Sequence, residues 1–415
     1  MPCPCRTVSI IAFVALLSAG PAFTQAPSTE ESSRPAAAHP TAAYIYVQTK
    51  KGVNVYDATA DGTLTLAKGS PFATTGQMGG INSKYLISVG TDYLHTYSVE
   101  SNGAVGEQAS EINSQDYAGA ECGATGYNGS SNGAVLDHTG KYFYVQLFGA
   151  QYQQGNTTCA AWQSYQIASN GAFTFLGSTE STLGADGSAY RTTVPTISSN
   201  DGFGYPIVGE DCNCSYFVPL ARTPSGELQA NPSFTEVDPV GKPNTAWGYF
   251  PDSAKADPDG HLAVLMEVVE QYGDGNFVES QLASYTINEA TGGISSTNTW
   301  KDMPSPQVYG SVMEMSPSGK LLALAGGQYS DVDGLQIFHF NGAAPITKYS
   351  ALLLPAVEVD KLAWDNNNHL YALSYESNQL YVYTVTPTSI SAAAGSPYSV
   401  QNSYGSNGLI VVPKR

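Results

Sequence analysis

The sequence predicts an all-β chain, a seven-bladed β-propeller closed by a C-terminal strand that completes the first blade. Three observations carry that prediction. The composition favours short strands and tight turns, with 42 glycines, 27 tyrosines, 24 prolines and only 13% charged residues. A strand-like run recurs seven times, starting at Tyr44, Tyr85, Tyr142, Phe203, His261, Leu321 and His369. And the first unit lacks an opening strand, while the segment Asn407 to Pro413 is a strand with no unit of its own.

Each unit reads in the same order. Several of the recurring runs follow a turn of Asp/Ser-x-x-Gly type, as at Asp137 to Gly140, Asp257 to Gly260 and Ser316 to Gly319. An alternating strand comes next, such as Gly52 to Tyr56, Leu94 to Val99, Leu335 to Phe340 or Leu380 to Val385, and a glycine turn with one more strand ends the unit. The tail Gly69 to Phe72 returns as Gly395 to Tyr398. Four antiparallel strands, a to d, repeated every ~40–60 residues are the size of a propeller blade, and a blade buries both faces only by stacking around an axis.

The first 26 residues read as a secretory signal peptide: Arg6, the apolar run Val8 to Leu17, then small residues through Ala26. That run is too short to cross a membrane, and no later one is long enough. Residues 27–43 read as a flexible lead-in and 44–413 as the propeller. The expected protein is secreted or periplasmic, and monomeric. With 17 Lys+Arg against 35 Asp+Glu and a net charge of −18, nucleic acid and anionic membranes are poor partners, and a small molecule or glycan is the expected ligand.

Export places Cys122, Cys159, Cys212 and Cys214 in an oxidising compartment, where an even count favours disulfides with three possible connectivities. All four fall on the face that bears the b–c loops, and Cys122–Cys159 is the favoured pair. No His/Cys spacing suits a metal. The acidic turns at Asp274 to Asn276 and Asp331 to Gly334 carry oxygen ligands of the kind Ca²⁺ takes, but neither has a full calcium loop, so tight-turn chemistry explains them and no cofactor is expected. Gly129 to Gly133 matches a serine-hydrolase string but lies in a Gly/Ser-rich loop, without the strand-to-helix elbow that string requires.

The order of a Ser/Asp-Pro-x-Gly turn, Tyr-x-Tyr-Val, Val-x-Val-Tyr and Gly-Ser-Pro resembles the lactonase-type seven-bladed propellers, which include the bacterial phosphogluconolactonase and the fungal muconate-lactonising enzyme. The resemblance spans nearly all of residues 44–413. Aligned on Asp257 to Gly260, it puts Glu267 on the family's glutamate, as acid/base or water-orienting group, and Asp252 and Ser253 where the family has Arg and His. Ala325, Gly326 and Gly327 replace a second Arg motif. Arg191, just before strand a of blade four, is the remaining charge partner. Loss of the arginines disfavours phosphorylated or carboxylated substrates. The expectation is a secreted enzyme that hydrolyses a neutral lactone, with Tyr249, Trp247, Tyr309, Gln307, Gln48 and Gln146 as substrate-binding residues of the mouth. The rival expectation is a non-catalytic propeller that binds a glycan or an exported protein there.

Overall fold

The computed structural model describes residues 40–114, 131–148, 159–182, 189–210, 215–241, 247–270, 277–308, 310, 312–326, 333–405 and 408–414. Among them there is no helix, and the strands form a seven-bladed β-propeller. The seven recurring runs are the seven b strands. In blade one, Thr41–Thr49 is strand b, Gly52–Thr59 strand c and Leu64–Leu66 strand d. Leu409–Pro413 supplies strand a, pairing antiparallel with residues Ala43 to Val47 and closing the ring.

The junctions between blades explain much of the repeat. Tyr44, which opens strand b of blade one, lies flat against Gly103 in the c–d turn of blade two, where an added Cβ would stand 2.4 Å from the ring. Two residues on, Tyr46 donates its hydroxyl to the Gly103 carbonyl at 2.8 Å. Blade three grips blade four identically: Tyr142 covers Gly226, and Tyr144 donates to its carbonyl at 3.1 Å. Both glycines have positive φ, so a side chain there would meet strain as well as the ring. Phe203 and Tyr205 repeat the contact on Gly292, and His369 of blade seven lies on Gly62 of blade one, so the latch runs through the closure. Between blades the b strands bury an apolar face, as with Leu262, Val264, Met266 and Val268 against Tyr205, Ile207 and Phe217. Each such side chain contributes roughly 1.5–3 kcal/mol.

The Gly-Ser-Pro echo also has a structural reason. Ser70 and Ser396 accept the N–H groups of Val55 and Val382 through their hydroxyls, at 3.1 and 2.8 Å, partnering strand c beyond the end of strand d. Ser350 does the same for Ile337 in blade six without the motif, at 2.9 Å.

Three blades depart from four plain strands. Blade five gains an outer strand, Glu236–Val237, parallel to Ile294–Ser295, and blade seven gains Tyr398–Ser399. Blade four divides into two short sheets, Ala189–Thr192 with Ile207–Glu210 and Ser215–Phe217, and Thr196–Ile197 with Phe203–Tyr205, Leu220–Arg222 and Leu228–Ala230. Pro195, Pro206 and Pro219 stand at the break in the three adjacent strands, and proline has no N–H to give the ladder. Thr193 bridges the gap by accepting the Ile207 N–H with its hydroxyl, at 2.9 Å.

Candidate functional site: the central channel

The strands nearest the axis are Gln77–Ile81, Ser131–Leu136, the split strand of blade four, Trp247–Ala256, Val312–Met315, Lys361–Trp364 and Leu409–Pro413. A cavity of about 590 Å³ lies between them, lined from blade three to blade five by residues 134–136, 193–197 and 252–256, and beyond by Val312 to Glu314, Lys361, Leu362 and Leu409. The volume suits a sugar-sized ligand.

Blade five brings the most chemistry to this wall. Its strand a carries a β-bulge between Pro251 and Ser253, which makes Asp252 the extra residue. Bulges re-aim side chains in this way. Asp252 is 4% exposed and lines the cavity. Blade four clamps the segment on both sides, because Ser215 donates to the Pro251 carbonyl and Thr196 to the Ala254 carbonyl, the latter at 2.7 Å. Three residues further on, at ~3.3 Å per residue, Lys255 reaches across to Glu314 of blade six, with Nζ to Oε2 at 2.7 Å. Glu314 is itself held through its backbone, whose carbonyl accepts the Trp364 indole N–H at 3.2 Å.

Lys361 of blade seven completes the set. Its side chain lines the cavity and, among the described residues, makes neither an ion pair nor a hydrogen bond. Burial lowers its proton affinity from the ordinary lysine value; Asp360 opposes that shift and the neighbouring positive charge of Lys255 adds to it. Counted back from the a–b turns that begin at Asp257, Ser316 and Asp365, Lys255 and Glu314 stand lowest, Lys361 higher and Asp252 higher still. The wall thus presents two carboxylates and two amines to one small space.

None of the other expected site residues with described side chains lines the cavity. Glu267 sits well inside strand b of blade five (His261–Glu270), opposite Phe250 and Ser280, and is not among the residues lining the cavity. Arg191 is in strand a of blade four, opposite Gly209, with its side chain outside the described residues, as is that of Trp247 at the start of strand a of blade five. Tyr249 is buried against Trp300, ring centroids 6.3 Å apart, and burial with the charges of Asp238 and Glu279 pushes its hydroxyl to about 12. Gln48 is buried and accepts the Met78 N–H at 3.1 Å, tying blade one to blade two. Gln146 holds the same place after Tyr-x-Tyr-Val in blade three and is equally buried. Gln307 is exposed, and its Oε1 accepts from Lys348 of the outer strand of blade six at 3.0 Å. Tyr309, Cys122, Cys212, Cys214 and the acidic turns before Asp333 lie outside the described residues. Cys159 opens strand c of blade three (Cys159–Ile167), with its side chain likewise undescribed.

The sequence reading missed Lys255, Glu314 and Lys361 because it searched the b strands and the mouth. Lys255 and Glu314 are each a lone charge amid small or apolar neighbours on a strand a, as in Met313-Glu314-Met315 and Ala254-Lys255-Ala256, and Lys361 opens a strand a next to Asp360. Among the described residues no three His, Cys, Asp or Glu side chains come together in a way that could hold a metal ion, and no helix is long and apolar enough to cross a membrane.

No family model and no curated protein matches the sequence. Solved structures match its fold. A candidate 6-phosphogluconolactonase from Bacteroides fragilis is similar at a TM-score of 0.54 and 13% identity, over 91% of this chain and 99% of its own. A protein from Lactobacillus plantarum is similar at 0.57 and 13%, over 90% and 99%. At that identity the likeness establishes the shared seven-bladed architecture.

Proposed function

We propose that the protein is a lactone hydrolase acting on a neutral, hydroxylated lactone held in the central channel. The observation that carries this reading is the juxtaposition of Asp252, the Lys255–Glu314 pair and Lys361 around one sugar-sized cavity. Ester hydrolysis needs a base for the attacking water and a positive group for the oxyanion. Asp252 supplies the base. Lys255, fixed by Glu314, supplies the cation. Two carboxylates against two amines leave the cavity without the surplus positive charge a phosphate would require, which favours a neutral substrate. Fold likeness to a candidate 6-phosphogluconolactonase adds weight by analogy only. Glu267, inside strand b of blade five and off the cavity lining, and Arg191 are kept as candidates for orienting substrate or water. The N-terminal run Val8 to Leu17 supports action outside the cytoplasm.

The test is hydrolysis of a panel of γ- and δ-lactones by the wild type and by Asp252→Asn and Glu267→Gln. Asp252→Asn should lower kcat by at least ~10²-fold with an unchanged melting temperature, and Glu267→Gln by less. A larger loss in Glu267→Gln would move the base to the rim. A wild type that opens no lactone would end the hydrolase reading in favour of a channel that only binds.

A further inference from the structure

Two cations of neighbouring blades are already engaged. Lys255 is paired with Glu314 at 2.7 Å, and Arg222 on the turn side meets Asp137 at 3.2 Å. Lys361 differs: it faces the cavity with no ion pair or hydrogen bond among the described residues. The charges around it are Asp360, which precedes its strand, Lys255 and Asp252 on blade five, and Glu314 on blade six, whose carboxylate is taken by Lys255. Burial disfavours the charged form of an ammonium that no ion pair locks; Asp360 opposes that shift, and Lys255, the smaller of the two charge effects, adds to it. Its height on the wall, between Asp252 and Lys255, is also the place left for the far side of a ring whose carbonyl lies between those two.

Resting on the hydrolase reading above, we propose that Lys361 is the general acid that protonates the departing ring oxygen. Water bonds to the lactone carbonyl carbon and passes a proton to the Asp252 carboxylate, while the carbonyl oxygen becomes an oxyanion beside Lys255. The oxyanion then collapses. The carbon–oxygen ring bond breaks, its electron pair leaves on the ring oxygen, and that oxygen takes a proton from Lys361 Nζ to become a hydroxyl. The proton on Asp252 returns through solvent to the Lys361 amine. The new carboxylic acid ionises, so each turnover consumes one water and releases one hydroxycarboxylate and one proton. Burial, which lowers the affinity of Lys361 for its proton, suits it to this step.

A substrate whose leaving group needs no proton isolates the role. Glucono-δ-lactone leaves as an alkoxide, whereas p-nitrophenyl acetate leaves as a stabilised aryl oxide. Lys361→Met should lower kcat/KM for the lactone at least ~10²-fold and for the aryl ester less than ~10-fold. Lys361→Arg, which keeps the charge but cannot give up its proton, should behave like Lys361→Met. Equal losses on both substrates, no loss on the lactone, or rescue by arginine would each overturn the proposal. Competitive acetylation of the wild type followed by peptide mass spectrometry reads the amine directly: Lys361 should become reactive at lower pH than the exposed Lys320. Ordinary titration of Lys361 overturns the proposal even if lactones are hydrolysed. Early titration in a protein that opens no lactone refutes the hydrolase reading, and the acid role falls with it.

Discussion

Asp365 and Lys361 stand only a few residues apart on blade seven, yet the surroundings of their charges are opposite. Asp365 opens the a–b turn and is saturated. Its Oδ1 accepts the N–H groups of Asn367 and His369, both at 2.8 Å, and its Oδ2 meets His369 Nδ1 at 2.7 Å and the Tyr371 hydroxyl at 3.0 Å. Asp257 and Asp137 are engaged in the same way by the backbone of their own turns. Lys361, on the channel wall, has no such partner among the described residues. A strand leaves its side chains to find partners elsewhere, whereas a tight turn aims its own N–H groups at the residue that starts it. Turn carboxylates are therefore structural, whereas Lys361 on its inner strand is left facing the cavity. The difference is one of backbone geometry, not residue type.

The largest effect that would break this comparison lies at the closure. Removing residues 407–415 takes strand a from blade one and bares the inner edge of Thr41–Thr49. The shortened chain should aggregate or melt at least ~10 °C lower, read by size-exclusion chromatography and calorimetry. A truncated chain that melts like the intact one would show that the ring does not depend on this strand.

Next in size is Asp365→Ala, which strips four donors of their acceptor in a buried turn and should cost about 3 kcal/mol or more. Activity per folded molecule should be unchanged, in contrast to the wall variants Asp252→Asn and Lys361→Met. Thermal melts beside kcat/KM separate the two kinds of charge. A turn variant that kept its stability and lost its activity would reverse the assignment.

The smallest effect belongs to an intermediate case. His95, in strand c of blade two (Tyr93–Val99), is buried between Tyr93 and Tyr97, with Glu111 3.6 Å away. Burial lowers its proton affinity, and Glu111 restores part of it. A histidine whose folded pKa is depressed is protonated first in the unfolded chain, so stability falls as pH drops below about 6.5. His95→Gln should flatten that acid limb, measured as chemical-denaturation midpoints between pH 7 and the folded value. An unchanged slope would show that His95 does not contribute to it.

The architecture was legible because the residues that make it recur at each blade. Tyr44 and Tyr142 mark the latches, Asp137 and Asp257 the turns, and Asn407 to Pro413 the spare strand. What the repeats did not reveal is where repetition stops. The division of blade four follows from three prolines that are distant in sequence and become neighbours only when the strands pair. The channel charges come from three different blades, and no spacing along the chain announces that Lys255 and Glu314 will meet. Asp252 was visible as a departure from the family pattern, though its burial and its bulge were not. Gln48 and Gln146 look like binding residues by type, and folding buries both.

The pairing of Leu409–Pro413 with Thr41–Thr49 also sets a timetable. At the usual ~5–20 residues per second of synthesis, the last strand leaves the ribosome roughly 20 to 75 s after the first. Throughout that interval strand b of blade one has no inner partner, and Tyr44 and Tyr46 are held by strand c of their own blade and by blade two. The ring therefore cannot lock until that strand is made, which leaves a bare strand edge open meanwhile to chaperones that shield it.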